Sequence, residues 1–318
     1  MTVRVALTET INAFADMPAN SEDLPNLAGH LEDIRRANIS HNLELIEEAA
    51  QRGAMIVGLG ELFSAPYFAL HRDPMWRVLA EDATSGPTAT AICTAAQEFG
   101  LIIVAPIYEH DASNAQRFNT TLIISESGQI LGKHRKVHIP EGSNEEALFD
   151  ERFYYQESDG DQNQNGSSLI STNPWFPVFR TSLARIGIAA CYDRHFEGTV
   201  STLAAGGAEL ILAPSITFGA KSMRLWELEF PVDAARHNVF IGGSNRRGSE
   251  PPWNQEFFGG SYFAGPNGRI DNISDHDNLI IADIDLDSLN QEDPSGWNLL
   301  RDRRPEVYGD ADSKGPEA

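Results

Sequence analysis

Short runs of branched aliphatic residues recur along the chain with helix-patterned segments between them, and this alternation constrains the fold more than any other feature. VRVALTE is followed by a helical pattern from Leu31 to Arg52, then AMIVGL, a second helical pattern over residues 87–99, and LIIVAPIYE. The rhythm returns in the second half with ARIGIAAC, a helix over 196–206, AELILAPS, a long helix over 221–238 and VFIGGSNR. GGSYFAG and LIIADIDL then follow, on either side of a turn at PNG. Strand-like runs alternating with helical ones predict an α/β protein. Two halves of similar rhythm predict two packed sheets with helices outside, although no sequence repeat relates them. Between the halves, NTTLIIS and QILGKHRKV read as a hairpin turning at Glu126, Ser127 and Gly128. Residues from Pro140 to Pro177 read as loop-rich.

A chain of 318 residues without a linker fits one large domain, placed here over residues 1–308, with a flexible acidic tail, DADSKGPEA, after Gly309. The 46 acidic and 24 basic side chains give a formal charge of -22, which repels nucleic-acid phosphates and anionic lipid surfaces. No window approaches the roughly 18 apolar residues of a membrane span, and MTVRVALTET lacks the pattern of a secretory leader. A cytoplasmic protein with neither nucleic-acid nor membrane partners is therefore expected. Two cysteines cannot build a disulfide scaffold, and a reducing compartment would keep Cys191 available as a thiol.

Three strand ends carry candidate chemistry. Cys191 ends the run IGIAAC and is followed at once by Tyr192, Asp193, Arg194 and His195. A thiol at a strand-to-helix turn lies close to helix-terminal N–H groups, which would lower its pKa and supply oxyanion donors. A buried core cysteine is the alternative; Cys93, in the amphipathic segment TATAICTAAQEFG, fits that description. Glu61 lies in GLGELF among Leu59, Leu62 and Phe63, where partial desolvation would raise its pKa and suit a general base, unless it simply pairs with an arginine. Lys136 belongs to GKHRKVHIP, a basic cluster in a strongly negative chain, and its ammonium could stabilise an oxyanion. Strand alternation puts His134 and Lys136 on one face and Arg135 and Val137 on the other, so most of this cluster reads as a solvated edge strand.

Other motifs carry less. His134 and His138 have an H-x-x-x-H spacing, but on a strand and without the glutamate of a zinc protease helix. Asp161 to Gly166 opens like a calcium loop, with Thr172 where the bidentate glutamate belongs. Gly58 and Gly60 are too few for a dinucleotide fingerprint. A metal-dependent amidohydrolase would need clustered His and Asp ligands that these spacings do not assemble.

The order of GELF, KHRKVHIP and CYDRHF, together with GGAELILAPS and SNRRG, resembles the nitrilase superfamily of carbon–nitrogen hydrolases from about Thr2 to Tyr308. The resemblance implies a four-layer αββα sandwich, commonly dimerised to αββααββα, hence a homodimer or larger homo-oligomer. It implies Glu61 as general base, Lys136 as oxyanion stabiliser and Cys191 as nucleophile, with no metal or organic cofactor. DERFYYQESD adds Glu151, at the place of a second active-site glutamate in the carbamoyl-amide hydrolases. Nitrilases usually follow their cysteine with Trp-Glu; Tyr192 and Asp193 here disfavour nitriles. CYDRH with WNLLRDRRPEVY is similar to β-ureidopropionases, whereas GELFSAPYF is closer to N-carbamoylputrescine amidases and residues 161–166 look inserted. The expected substrate is a small amide or ureido compound of the N-carbamoyl amino acid type. Arg194 and His195 would hold its carboxylate by charge-assisted hydrogen bonds, unless Arg194 pairs internally. Tyr67 and Tyr192 complete the expected substrate contacts. A protein that kept this fold for binding alone would show erosion of the triad, and all three residues stand.

Overall fold

Continuous aliphatic runs form strands that bury both faces. The computed structural model describes residues 2–145, 147–162 and 168–307; the tail predicted from Gly309 lies outside them. The first half contributes β1 (Thr2–Thr8), α1 (Leu31–Gln51), β2 (Ile56–Gly58), α2 (Pro87–Phe99), β3 (Ile102–Asp111), β4 (Gln116–Ile124) and β5 (Ile130–Arg135). Two short strands, β6 (Glu141–Ser143) and β7 (Leu148–Asp150), pair as a hairpin within the passage predicted to be loops. The second half contributes β8 (Val178–Arg180), β9 (Arg185–Ile188), α3 (Glu197–Ala205), β10 (Leu210–Pro214), α4 (Ala220–His237) and β11 (Phe240–Ser244). A hairpin absent from the sequence reading, β12 (Arg247–Glu250) with β13 (Gln255–Phe258), comes next. The chain closes with β14 (Tyr262–Gly265), β15 (Gly268–Ile270) and β16 (Leu279–Asp285).

The first sheet has the order β16-β1-β2-β3-β4-β5 and the second β15-β14-β11-β10-β9-β8. Each has three parallel central strands, β1-β2-β3 and β9-β10-β11, flanked by antiparallel ones. Side-chain alternation assigns the layers. Val3, Val5, Ile102 and Val104 meet Ile186, Ile188, Leu210 and Leu212 in one apolar layer between the sheets. The opposite faces, through Ala6, Ile103 and Ala105, pack on Ile46 of α1 and Ile92 of α2. On the other side, Ile211 and Ala213 pack on Leu203 of α3 and Trp226 and Phe230 of α4. The result is an αββα sandwich. Among the described residues no helix is long and apolar enough to cross a membrane.

This topology decides where the site lies. The strands β2, β9, β10 and β11 are parallel within their sheets, and β5, two antiparallel steps from β3, runs in the direction of β3. The segments that follow β2, β5 and β9, carrying Glu61, Lys136 and Cys191, therefore emerge at strand carboxyl ends, where open α/β sheets bind ligands.

Candidate active site

Gly60 lets the segment after β2 pass close against Thr10: a Cβ there would fall 1.8 Å from Thr10 Oγ1. The next residues carry Glu61 inward, and Leu62 takes a left-handed φ of 47° that side chains rarely adopt. Arg246, fully buried after β11, binds this turn: its Nη2 donates to the carbonyls of Leu62 and Ala65, each at 3.0 Å, while Nη1 pairs with Glu250. Lys136, the first residue past β5, extends the ladder by donating its N–H to Asn119 O at 2.8 Å. Cys191 starts a short 3-10 turn, Cys191–His195, with its own φ at 46°, and its sulfur lies 3.5 Å from the carbonyl of Ile216. Two strained non-glycine residues at strand ends are backbone that the surrounding packing must hold in place.

These elements bring four predicted residues together. Lys136 Nζ donates to Glu61 Oε1 at 2.9 Å and to Glu151 Oε2 at 2.6 Å. Tyr67 OH donates to Glu151 Oε1 at 3.0 Å, and Asn119 Nδ2 donates to Glu61 Oε1 at 2.7 Å. Glu61 Oε2 is buried and has no hydrogen-bond partner among the described residues. Cys191 and Glu151 line a cavity of about 530 Å³, with Tyr67, Ile216, Phe218 and Arg194 among its walls. Glu61 and Lys136 are 1% and 0% exposed, so both are withdrawn from bulk solvent.

Electrostatics follow from this burial. The Cys191 thiol is pushed well above its ordinary value by desolvation, with the Glu61 charge adding to the push and Lys136 opposing it. The lowered thiol pKa predicted from the strand-to-helix turn is therefore corrected: burial, with the Glu61 carboxylate adding to it, raises the thiol instead. Burial raises Glu151 to about 7 against the pull of Lys136, with Glu61 adding to the rise. Burial would lower the Lys136 pKa, but its acidic neighbours Cys191, Glu151 and Glu61 outweigh burial and raise it well above the ordinary value.

The arrangement is a buried ammonium between two carboxylates, one of which, Glu151, shares a cavity wall with the thiol of Cys191. Residues 34–291 match the family model of carbon-nitrogen hydrolases. The chain belongs to the carbon–nitrogen hydrolase family. A β-ureidopropionase from Arabidopsis thaliana is 30% identical over 92% of this chain and 70% of its own. An N-carbamoylputrescine amidase from Oryza sativa subsp. japonica is 29% identical over 87% of this chain and 89% of its own. A carbon–nitrogen hydrolase structure from Helicobacter pylori G27 covers 97% of both chains with a TM-score of 0.77 at 23% identity, a likeness of fold.

Other sequence readings of this carbon–nitrogen hydrolase change in three dimensions. Arg194 and His195 do line the cavity, but both reach Glu229, through Nη1 to Oε2 and Nδ1 to Oε1, each at 2.7 Å. Arg194 is thus the internally paired arginine and not a free anion anchor, because Glu229, one turn past Leu225 on α4, neutralises it. Tyr67 is 2% exposed and spends its hydroxyl on Glu151; Tyr192 is 38% exposed at the cavity mouth.

The basic cluster is not a solvated edge. Lys133, His134, Arg135 and Lys136 are all at least 96% buried. Arg135 and Lys133 share Glu109, and Arg135 also binds Asp111 and Asp159, so acidic neighbours absorb the positive charge. His134 and His138 meet at the carboxylate of Asp193. Asp161 pairs with Lys133 at 2.9 Å, while residues 163–166 of the calcium-like run lie outside the described residues.

Three residues close to the site escaped the sequence reading. Asn119 sits inside an ordinary strand, Asp193 reads only as polar company for Cys191, and Arg246 lies in SNRRG with no role visible in the sequence. The signal available was a polar side chain inside or beside an otherwise apolar strand.

Proposed function

We propose that this protein hydrolyses the ureido C–N bond of an N-carbamoyl amino acid, of the N-carbamoyl-β-alanine kind, through a covalent intermediate on Cys191. The observation that carries the reading is the Lys136 ammonium held between Glu61 and Glu151 behind the thiol of Cys191. Two relatives whose names denote ureido or N-carbamoyl substrates support the substrate class.

In this scheme Glu61 Oε2, the oxygen without a partner, takes the Cys191 proton. The transfer removes the negative charge that opposes the thiolate, while Lys136 remains to stabilise it. Sulfur attacks the ureido carbon, and Lys136 with a backbone N–H near Tyr192 holds the oxyanion. Glu61 returns its proton to the departing ammonia as the C–NH2 bond breaks, leaving an S-thiocarbamate between Cys191 and the carbamoyl carbon. Water activated by Glu61 then attacks that carbon, regenerating the thiol and releasing a carbamic acid that loses CO2 to give the amine. Glu151 accepts from the substrate NH2 and keeps Lys136 oriented. The reaction uses no metal or organic cofactor, and the resemblance further implies a homodimer or larger homo-oligomer, read by light scattering.

Lys221, in the first turn of α4, is a cavity-lining cation without an ion pair among the described residues, and it supports a carboxylate-bearing substrate now that Arg194 is neutralised. A second reading, an N-carbamoyl amine, draws on Glu145 and Glu229, which give the same mouth two acids. Ammonia release from N-carbamoyl-β-alanine, N-carbamoyl-D-amino acids, N-carbamoylputrescine, a simple amide and a nitrile separates these readings. Turnover of an N-carbamoyl amino acid with a mass adduct on Cys191 supports the proposal; Cys191→Ala retaining ordinary ammonia release overturns it.

A further inference from the structure

Glu61 is held asymmetrically. Its Oε1 accepts two hydrogen bonds, from Asn119 Nδ2 at 2.7 Å and Lys136 Nζ at 2.9 Å, whereas its buried Oε2 accepts none from the described residues. A carboxylate free to rotate would exchange these oxygens; two donors fixed on one of them prevent it. We infer that Asn119 is a positioning residue for the proposed general base, turning Oε2 toward the proton it must carry. The inference rests on Glu61 being that base.

The strand pairing shows why this residue can do so. Thr120 of β4 lies opposite Arg135 of β5, and the next rung is the main-chain bond from Lys136 N–H to Asn119 O at 2.8 Å. Asn119 and Lys136 therefore face each other across neighbouring strands. One residue thus sets both partners: its carbonyl fixes the Lys136 backbone, and its side-chain amide fixes the carboxylate that Lys136 meets. Asn119 is 2% exposed, so the bond lies away from bulk solvent.

The chemistry of the donor fits the task. A second cation beside Glu61 would reduce its basicity; a neutral amide orients the carboxylate without adding charge. The other end of the amide, Oδ1, is buried without a hydrogen-bond partner among the described residues. Exchanging the two ends would press Oδ1 against a carboxylate oxygen, so the electrostatics select the orientation with Nδ2 toward Glu61. A buried polar residue that leaves its acceptor unsatisfied is a poor choice for stability alone. Among the described residues its one side-chain hydrogen bond is to Glu61.

The test compares Asn119→Ala and Asn119→Asp with Glu61→Gln and with the Asn119→Ala, Glu61→Gln pair. Two rates are followed across pH: hydrolysis of the N-carbamoyl compound that the unaltered protein turns over, and alkylation of Cys191 by iodoacetamide, resolved from Cys93 by peptide mass. Each Asn119 variant is expected to lower kcat about 10- to 100-fold with KM within about twofold, and to slow Cys191 alkylation near neutral pH about tenfold. In the Glu61→Gln background, Asn119→Ala should change alkylation by less than about twofold, because its effect passes through the carboxylate. Equal losses in both backgrounds, or unaltered kcat in a folded Asn119 variant, overturn the inference. Should Asn119→Ala fail to fold, the isosteric Asn119→Asp decides; if neither folds, the residue is structural and the inference falls. Failure of the catalytic reading itself shows separately, as hydrolysis that survives Cys191→Ala.

Discussion

Asp193 stands two residues after the proposed nucleophile and grips the segment that follows Lys136. Its carboxylate accepts from His138 N at 2.8 Å, His138 Nδ1 at 2.7 Å and His134 Nε2 at 3.3 Å. Since a carboxylate only accepts, these contacts put the ring protons on His138 Nδ1 and His134 Nε2. Burial would raise the Asp193 pKa, but the hydrogen bonds from His134 and His138 outweigh it and hold the group at about 2, against 3.8 for a free aspartate. A depressed folded pKa contributes stability that is present above 3.8 and lost as pH falls toward 2, worth about 2 kcal/mol at neutral pH. Asp193→Asn removes that charge and turns an amide N–H toward existing donors, adding about 1–3 kcal/mol. The expected loss is therefore about 3–5 kcal/mol. An unfolding entropy of about 2.1 cal/mol/K per residue over 318 residues gives about 0.7 kcal/mol/K, so Tm should fall by about 4–7 °C. Calorimetry at pH 7 measures it, and the gap to the unaltered protein should narrow in acid. Turnover well below the new Tm should fall too, because the clamp sets Cys191 against Lys136. A Tm within about 1 °C, or full kcat/KM in the destabilised protein, refutes this reasoning.

Two further perturbations address the chemistry of the site. With Glu151 raised to about 7 by burial, against Lys136 and with Glu61, kcat/KM should climb as pH rises through neutrality and the carboxylate forms; Glu151→Gln should lack that limb, and a profile with the same inflection would assign it elsewhere. Glu229→Gln removes the charge opposing Arg194 and His195 but keeps an acceptor, so it should raise kcat/KM for carboxylated over uncharged substrates about tenfold; equal changes for both classes would remove Arg194 from substrate recognition.

The local features of this protein were legible in its residues. Branched runs could only become strands, the segment at Leu31–Arg52 and that over residues 87–99 could only bury an apolar stripe as helices, and Ser127 with Gly128 could turn a hairpin. These outcomes depend on near neighbours in sequence, as does the placing of Cys191, Glu61 and Lys136 at strand ends. The layer order and the grouping of these three with Glu151 came from resemblance and not from periodicity. Tertiary structure alone decided the electrostatics. Whether Arg194 is free depends on Glu229, 35 residues away; whether Lys133 and Arg135 are solvated depends on Glu109, Asp111 and Asp159. The rise in the Cys191 pKa has the same origin, since desolvation is a property of the whole cavity wall and reverses what the strand-to-helix turn by itself suggested. Charge interactions act through space and dielectric, so a linear string states which groups exist but not which of them meet.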